Sequence, residues 1–162
     1  MNSMQEKSIK IASGLSDEMI QSFEMTDEQK KLHQMVNDEK WHVRCGVAEN
    51  SNTHSKTLEK LSDDEEDFVR YGVARNLNTP SEILEKLSDD ESGNVRCGVA
   101  ENPNTPSKIL EKLSDDEDSG VRYGIAENPK TPYEILEKLS DDKSKDVRWE
   151  AKQNLMTKNE LN

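Results

Sequence analysis

The 162-residue chain has few cysteines, few aromatic residues and no long apolar run. Its two cysteines, Cys45 and Cys97, are too few for a disulfide framework and fit a reducing compartment better than a secreted scaffold. Aromatic residues make up 4% of the chain, and no apolar run approaches the roughly 18 residues of a membrane-spanning helix. We therefore expect a cytoplasmic protein that does not enter a membrane.

Basic residues are also scarce relative to acidic ones. The chain has 22 Lys and Arg against 34 Asp and Glu, which gives a net charge of -12. Binding to nucleic acid or to anionic lipid requires clustered Lys and Arg, so we expect no direct nucleic acid binding and no membrane partner. A partner protein with a basic surface is compatible with this charge.

What the sequence does contain is a repeat. The dipeptide Val-Arg recurs every 26 residues from Val43 to Val147, and each unit reads approximately Val-Arg-x-Gly-Val-Ala-x-Asn-x-x-Thr-Pro-x-x-Ile-Leu-x-x-Leu-Ser-Asp-Asp. Residues 43–146 hold four complete units. Residues 1–42 are predicted to form an N-terminal cap with a degenerate half-repeat, and residues 147–162 a degenerate C-terminal capping repeat and tail.

Each unit predicts two short helices. In the second half, Thr79 is expected as the N-cap, Pro80 as the first helical residue and Glu82 as the partner in a capping box. Leu84 and Leu87 then fall on one apolar face. The first half ends before a proline in two of the units and has room for about two turns of α or 3₁₀ helix.

Two short helices cannot bury their apolar faces alone, so neighbouring units must stack. The sequence also lacks an alternating β-branched run of strand length. The fold prediction is therefore an all-α solenoid of tandem two-helix repeats over about residues 16–156, without a sheet. One leucine of each second helix is expected to be buried in register: Leu58, Leu84, Leu110 and Leu136.

The motif Val-Arg-x-x-Val-Ala-x-Asn-Pro-x-Thr-Pro followed by Leu-x-x-Leu, clearest at residues 95–113 and 121–139, resembles the leucine-rich repeat variant family of HEAT-like α-solenoid repeats. The resemblance implies a right-handed superhelix of alternating α and 3₁₀ helices. One variant of the family carries an N-terminal cysteine cluster for an iron–sulfur centre. Residues 1–42 contain no Cys, so no cofactor is expected. The family implies no reaction.

Three polar columns are interpreted as structural. The Arg column could bind anions, but pairing with the Ser-Asp-Asp corners is favoured because an Arg fork matches carboxylates; it comprises Arg44, Arg70, Arg96, Arg122 and Arg148. The Asn column is expected to form turns, since Asn tolerates αL and bonds nearby backbone; it comprises Asn50, Asn76, Asn102, Asn128 and Asn154. A column that alternates in charge predicts a surface ion-pair ladder and comprises Lys56, Glu82, Lys108 and Glu134.

No metal or catalytic site is expected. His42, Cys45 and His54 are too loosely spaced for zinc, and Cys45 and Cys97 lie two units apart, beyond disulfide reach. No nucleophile–base motif, phosphate loop or distinctive acid pair appears. A HEAT-like DNA-repair glycosylase would need a basic surface, which the net charge opposes. The chain is therefore predicted not to be an enzyme.

The net charge falls in the corners between units. Stacking would align these corners as an acidic ridge, which we define as Asp63, Asp64, Asp89, Asp90, Asp115, Asp116, Asp141 and Asp142. Such a ridge could attract a basic partner, or it could serve only solubility and the solvation of helix ends.

A second candidate surface lies on the first helix of each unit. On a helical wheel, the positions two and six residues after each Val point away from the Val face. Aromatic and Arg side chains there are usual interface material, and the predicted partner-binding row is Tyr71, Arg75, Cys97, Glu101, Tyr123, Glu127 and Trp149. The competing interpretation is that small Cys and large Tyr interlock between units.

Two functions follow from these surfaces. The first is a non-catalytic repeat scaffold that mediates protein–protein interaction through a repeated helical face. The alternative is a small acidic inhibitor or immunity-type protein that blocks the basic groove of a nucleic-acid enzyme by charge mimicry. Binding that collapses at moderate salt favours the alternative, and binding that persists favours the scaffold.

Overall fold

The computed structural model describes residues 25–160, which form ten α-helices and one short 3₁₀ helix and contain no strand. After α1 (Asp27–Gln34) and the 3₁₀ helix (Met35–Asn37), long and short helices alternate. The first helices of the units are α2 (Trp41–Glu49), α4 (Asp67–Arg75), α6 (Gly93–Glu101) and α8 (Ser119–Glu127). The second helices are α3 (Ser55–Leu61), α5 (Ser81–Leu87), α7 (Ser107–Leu113) and α9 (Tyr133–Leu139), and α10 (Lys145–Glu160) follows them. None of these helices has the length and apolar content needed to cross a bilayer.

The units stack through their first helices. Helix α2 packs on α4, α4 on α6, α6 on α8 and α8 on α10. From the second unit onward, the glycine of the motif makes this approach possible, because a Cβ on Gly72 would lie 3.1 Å from the Cβ of Ala48, and one on Gly124 would lie 3.1 Å from the Cβ of Ala100. The Gly-Val-Ala segment of the repeat is therefore the contact between neighbouring units.

The apolar residues of both helices form one continuous core. The four leucines expected in register, Leu58, Leu84, Leu110 and Leu136, are all fully buried, so that prediction is confirmed. Full burial of such a side chain stabilises the fold by about 2 kcal/mol relative to its exposure. The prediction of a helical repeat stack without a sheet is likewise confirmed for the described residues.

The second helices begin one residue later than predicted, and the capping box is wrong. Pro80 is the N-cap of α5 and offers no side-chain cap, while the Thr79 hydroxyl donates to the Val73 carbonyl at 2.6 Å. That carbonyl lies in the last turn of α4, where backbone acceptors lose their regular helical partners, and it also accepts from the Asn76 N–H at 3.1 Å. Thr79 therefore closes the first helix instead of opening the second.

Both helices of each unit are α-helices. The alternation with 3₁₀ helices that the resemblance implied is not found, and Met35–Asn37 is the sole 3₁₀ helix between residues 25 and 160. Bonds of the 3₁₀ type occur at helix ends and in the turn between the two helices of a unit, as from the Thr79 N–H to the Asn76 carbonyl at 3.1 Å. The Ile83 N–H, for example, donates to the Pro80 carbonyl at 3.0 Å, and the Asp90 N–H donates to the Leu87 carbonyl at 3.2 Å.

The ends of the stack differ from its units. At the N-terminal end, Leu32 and Met35 pack against the core from α1 and the 3₁₀ helix. The part of the solenoid prediction that covers residues 16–24 lies outside the described residues. At the other end, α10 continues past Asn154, where every other first helix stops, and buries Val147 and Ala151.

Candidate functional site

The Arg column connects the corners at the two ends of each unit. The Arg70 guanidinium donates to both carboxylate oxygens of Asp90, at 2.7 and 2.9 Å, and to the Asp64 carbonyl at 2.8 Å. Arg44, Arg96 and Arg122 repeat this pattern with the corner aspartates that follow them. These four Arg side chains are therefore structural and unavailable as an anion-binding ladder. Among the described residues, Arg148 makes only the carbonyl contacts, at 2.6 Å to Asp142 and 3.1 Å to Lys143.

The pairs hold both partners in their charged forms. The hydrogen bond to Asp90 raises the pKa of Arg70 further above its ordinary value. Burial works against the charge of Asp90, but the hydrogen bonds from Arg70 and from the Ser92 N–H outweigh it, so the pKa of Asp90 falls below its usual range. The pKa of Asp64, Asp116 and Asp142 is lowered in the same way.

The acidic ridge is largely neutralised by other segments of the chain. Its second aspartates bind the Arg column, and three of its first aspartates bind lysines at 2.6 Å in the pairs Lys86–Asp63, Lys112–Asp89 and Lys138–Asp115. Seven of the eight ridge carboxylates thus have a cationic partner, and Asp141 is the exception within the described residues. Counting charges along the sequence overstated the ridge because each partner lies 20 or more residues away.

The lysine–aspartate pairs also replace the ion-pair ladder that the sequence suggested. Lys108 lies 3.9 Å from Glu85, and not within ion-pair distance of Glu82 or Glu134. The cross-unit pairing instead uses Lys86 and its equivalents, whose amino groups also donate to a serine of the preceding unit. The alternating column is therefore not the charge ladder of this surface.

The Asn column joins neighbouring units as well as forming turns. The Asn102 side-chain amide donates to the carbonyls of Ala74 and Asn76, at 2.7 and 3.1 Å, and its oxygen accepts from the Asn104 N–H at 2.8 Å. The turn role was predicted from the sequence. The backbone of Asn102 is extended and not αL, and the cross-unit bonds were missed because nothing in one unit reveals its neighbour's carbonyls.

The inner positions of the predicted row are packed between units. Tyr71, Cys97 and Tyr123 lie half-buried against the core, as does Cys45 at the equivalent position of the first unit. The Tyr71 ring covers the next first helix so closely that a Cβ on Gly98 would lie 2.9 Å from its Cδ2 atom. Burial raises the pKa of both the Tyr71 hydroxyl and the Cys97 thiol, the latter to about 12.

The outer positions of the row remain at the surface. Arg75 lies over the Tyr71 ring, 5.5 Å from its centroid, and its Nε is 3.2 Å from Glu101. Trp149 is 58% exposed. We divide the row accordingly. Its inner edge, packed against the core, is formed by Tyr71, Cys97 and Tyr123. Its outer edge, at the surface, is formed by Arg75, Glu101, Glu127 and Trp149.

An exposed aromatic pair lies beside this row, and sequence reasoning missed it. Trp41 and Phe68 stack with ring centroids 5.7 Å apart and remain 43% and 55% exposed. Next to them, a pocket of about 230 Å³ is lined by Asp67, Phe68, Tyr71, Asn94 and Cys97. The available signal was that Phe68 lies one residue and Trp41 two residues before a Val-Arg segment, outside the apolar face of their helices.

No arrangement for redox, metal or thiol chemistry appears in the described part of the chain. Cys45 and Cys97 are free thiols, and no group of three or more His, Cys, Asp or Glu side chains could hold a metal ion. A thiol whose pKa is raised to about 12, as in Cys97, stays protonated near neutral pH and is a poor nucleophile.

The repeat and its fold have known counterparts. Residues 41–66 and 93–118 match the sequence model of the family described as leucine rich repeat variant. A solved structure, described as a leucine-rich repeat variant with a novel repetitive protein structural motif, is 28% identical to this chain with a TM-score of 0.62. The match covers 78% of this chain and 50% of that one, so this chain spans half its length. No curated protein matches the chain. Two repeats of this chain therefore match the leucine rich repeat variant model, and its stacked-helix fold is similar to that of a solved leucine-rich repeat variant.

Proposed function

We propose that the protein is a non-catalytic scaffold that binds another protein through its first-helix face. This face consists of the exposed outer edge of the row together with Trp41 and Phe68. The observation that carries the proposal is the stacked, solvent-exposed pair of Trp41 and Phe68, in a chain where aromatic residues are only 4% of the composition. The two free thiols favour a cytoplasmic location.

Exposed aromatic side chains are the residues most enriched at the energetic centres of protein interfaces. Contact between their apolar area and water costs free energy, and this cost is removed when a partner protein covers them. Here Trp41, Phe68 and Trp149 all project from first helices, which stack side by side in consecutive units. Stacked repeats commonly bind partners along such an extended face.

Charge mimicry of nucleic acid is less well supported as an alternative. A mimic needs a dense row of carboxylates without internal counterions, as phosphates have. Because seven of the eight ridge carboxylates already pair with Arg or Lys, the ridge offers a basic groove little net charge. Blocking of a nucleic-acid enzyme would moreover be abolished by moderate salt, whereas aromatic contacts would persist.

The proposal is tested by comparing two double variants as baits in quantitative affinity purification from the native cell. The face variant carries Phe68→Ser with Trp149→Ser. The control variant carries Leu77→Ser with Met156→Ser, which removes apolar side chains of similar exposure, 62% and 57%, away from the proposed face. We expect proteins that the wild type and the control retain at moderate salt to be lost by the face variant.

The same proteins retained equally by both double variants would overturn the proposal. Both variants should melt within a few degrees of the wild type, because substitutions at exposed positions usually change stability by less than about 0.5 kcal/mol each. A binding loss with an unchanged melting temperature therefore reports on the surface and not on folding.

A further inference from the structure

The pocket beside the aromatic pair has the size of a subsite for one side chain. Its volume of about 230 Å³ is below the range of about 300–1,000 Å³ typical of small-molecule sites. Phe68 and Tyr71 form aromatic walls, and the Cys97 thiol contributes a soft, uncharged surface. Such a lining suits the end of a bulky apolar side chain better than a metabolite.

Two carboxylates near the pocket, those of Asp67 and Asp118, form no ion pair with residues 25–160. Asp67 lines the pocket and accepts from the Ser92 hydroxyl at 2.9 Å, and Asp118 of a neighbouring unit accepts from the Gly120 N–H at 2.8 Å. Seven of the eight ridge aspartates do have such a pair. The charges of Arg70 near Asp67, and of Arg96 and Arg122 near Asp118, act only from beyond 4 Å. Burial first, and then the charges of Glu101 and Asp118, raise the pKa of the neighbouring Cys97 thiol.

These features together define the occupant. We propose that the groove formed by Asp67, Phe68, Tyr71, Asn94 and Cys97 binds a basic peptide segment of the partner protein. One bulky apolar side chain of that segment enters between Phe68 and Cys97, and flanking Lys or Arg residues approach Asp67 and Asp118. This inference rests on the proposed function and specifies the chemistry of its partner.

Charge complementarity distinguishes this occupant from others. An acidic segment would place carboxylates beside Asp67 and Asp118, where like charges repel. A second copy of this chain carries the same net charge of -12, so its approach is opposed at low salt. A neutral apolar segment would fill the pocket but leave both aspartates without cations.

The test uses three synthetic peptides and the full chain. The first has a central leucine flanked on each side by Lys and Arg, the second replaces the leucine by glycine, and the third replaces the basic flanks by Asp and Glu. Affinity is measured by fluorescence anisotropy of the labelled peptide, and the site is mapped by amide chemical-shift changes in NMR spectra of the protein. We expect the basic leucine peptide to bind about tenfold or more tightly than either comparator.

Substitutions in the protein show which residues are responsible for binding the basic leucine peptide. Phe68→Ser should weaken binding of the basic leucine peptide by about tenfold or more, and Asp67→Asn with Asp118→Asn should weaken it mainly at low salt. Leu77→Ser is the matched control and should leave the affinity unchanged. The largest shift changes should fall on residues that line the pocket.

Three results would overturn the inference: equal binding of the glycine peptide, shift changes centred away from Phe68, or no measurable binding. Sedimentation measurements test a fourth. If the protein self-associates and Phe68→Ser abolishes that self-association, the groove binds a second copy of this chain and the inference is wrong. If the affinity-purified partner depends on Phe68 while the basic leucine peptide does not bind, the proposed function stands and this inference alone fails.

Discussion

At the scale of single residues, adjacent aspartates of one corner have opposite roles. Asp115 pairs with Lys138 at the surface, whereas Asp116 is turned inward and binds Arg96 through two hydrogen bonds. The sequence predicted that the Arg column pairs with the corners, because an Arg fork and a carboxylate match in shape. It did not predict which of two neighbouring aspartates is buried, since that depends on the path of the chain between two helices.

The corner therefore supplies a matched pair of substitutions. Asp116→Ala should lower the free energy of unfolding by about 2–3 kcal/mol, because it leaves the half-buried guanidinium of Arg96 without its carboxylate. Asp115→Ala breaks only a solvent-exposed pair and should cost less than about 1 kcal/mol. Urea denaturation followed by circular dichroism measures both. Equal losses for the two variants would contradict the distinction between a buried and a surface pair.

At the scale of helices, the repeat motif determines how closely units approach. Apolar periodicity correctly predicted the face that each second helix buries, since Leu84 and Leu87 depend only on spacing within one helix. The start of that helix was misplaced because Thr79 bonds to the preceding helix, a partner outside the local pattern. Likewise, the wheel could place Tyr71 opposite the Val face, but not under the neighbouring unit's Gly98.

Two glycines at the same repeat position should respond oppositely to alanine. In Gly98→Ala the new Cβ would lie 2.9 Å from Tyr71 and 3.0 Å from the Cβ of Ala74, so the units must separate and the melting temperature should fall. In Gly46→Ala nothing lies within 4 Å of the new Cβ, and the gain in helix propensity should stabilise the protein by up to about 1 kcal/mol. Thermal denaturation of both variants measures this. A rise in melting temperature for Gly98→Ala would show that the helices have room to move apart.

The Asn bonds between helices give a third prediction at this scale. Asn102→Ala removes the donor to two carbonyls of the preceding unit, at Ala74 and Asn76, and should cost about 1–3 kcal/mol because the buried Ala74 carbonyl loses this partner, whereas the Asn76 carbonyl keeps the Thr79 N–H. Asn104→Ala is the control, since Asn104 is exposed and makes one such bond, to Leu77. Chemical denaturation should show the smaller loss for Asn104→Ala. Similar losses would argue that the buried column adds no more than the exposed one.

At the scale of the whole molecule, four equivalent half-buried aspartates, Asp64, Asp90, Asp116 and Asp142, share one pH dependence. Their folded pKa values lie below the ordinary value of about 3.9, so the stability they contribute is complete above about pH 4 and is lost as the pH falls through the folded values. The melting temperature should therefore stay nearly level from neutral pH down to about pH 5 and fall steeply below about pH 4. Asp116→Asn should reduce the steepness of that fall. A main transition near pH 6 would instead point to histidine.

The stacking of the units was the feature easiest to predict from the sequence, because sparse apolar residues that recur every 26 residues can be buried only if the units stack. The exposed aromatic pair was harder to predict. Trp41 and Phe68 occupy different repeat positions in successive units, so no column marks them, and they meet only after the helices pack. A surface that departs from the repeat is harder to predict than the core that maintains it.

Because each unit contacts mainly its neighbours, one complete unit should be removable. Deleting residues 95–120 joins Asn94 to Val121 in the same register, so the chain should stay folded with an unchanged helical signal per residue and a lower melting temperature. Deleting half a period breaks the register and should abolish cooperative unfolding. Circular dichroism and calorimetry distinguish the two. Loss of folding in both deletions would mean that the units are not equivalent in stacking.

The hydrogen bonds that the Asn column and the lysines Lys86, Lys112 and Lys138 make between units all have the same direction along the chain. In each case the donor belongs to the later unit and the acceptor to the earlier one, as for Asn76 with Ala48 and Lys86 with Ser62. A ribosome makes the earlier unit first. Each unit that leaves the exit tunnel therefore brings amide and ammonium groups to acceptors that are already in place, and the growing chain can add one unit after another without waiting for its C-terminus.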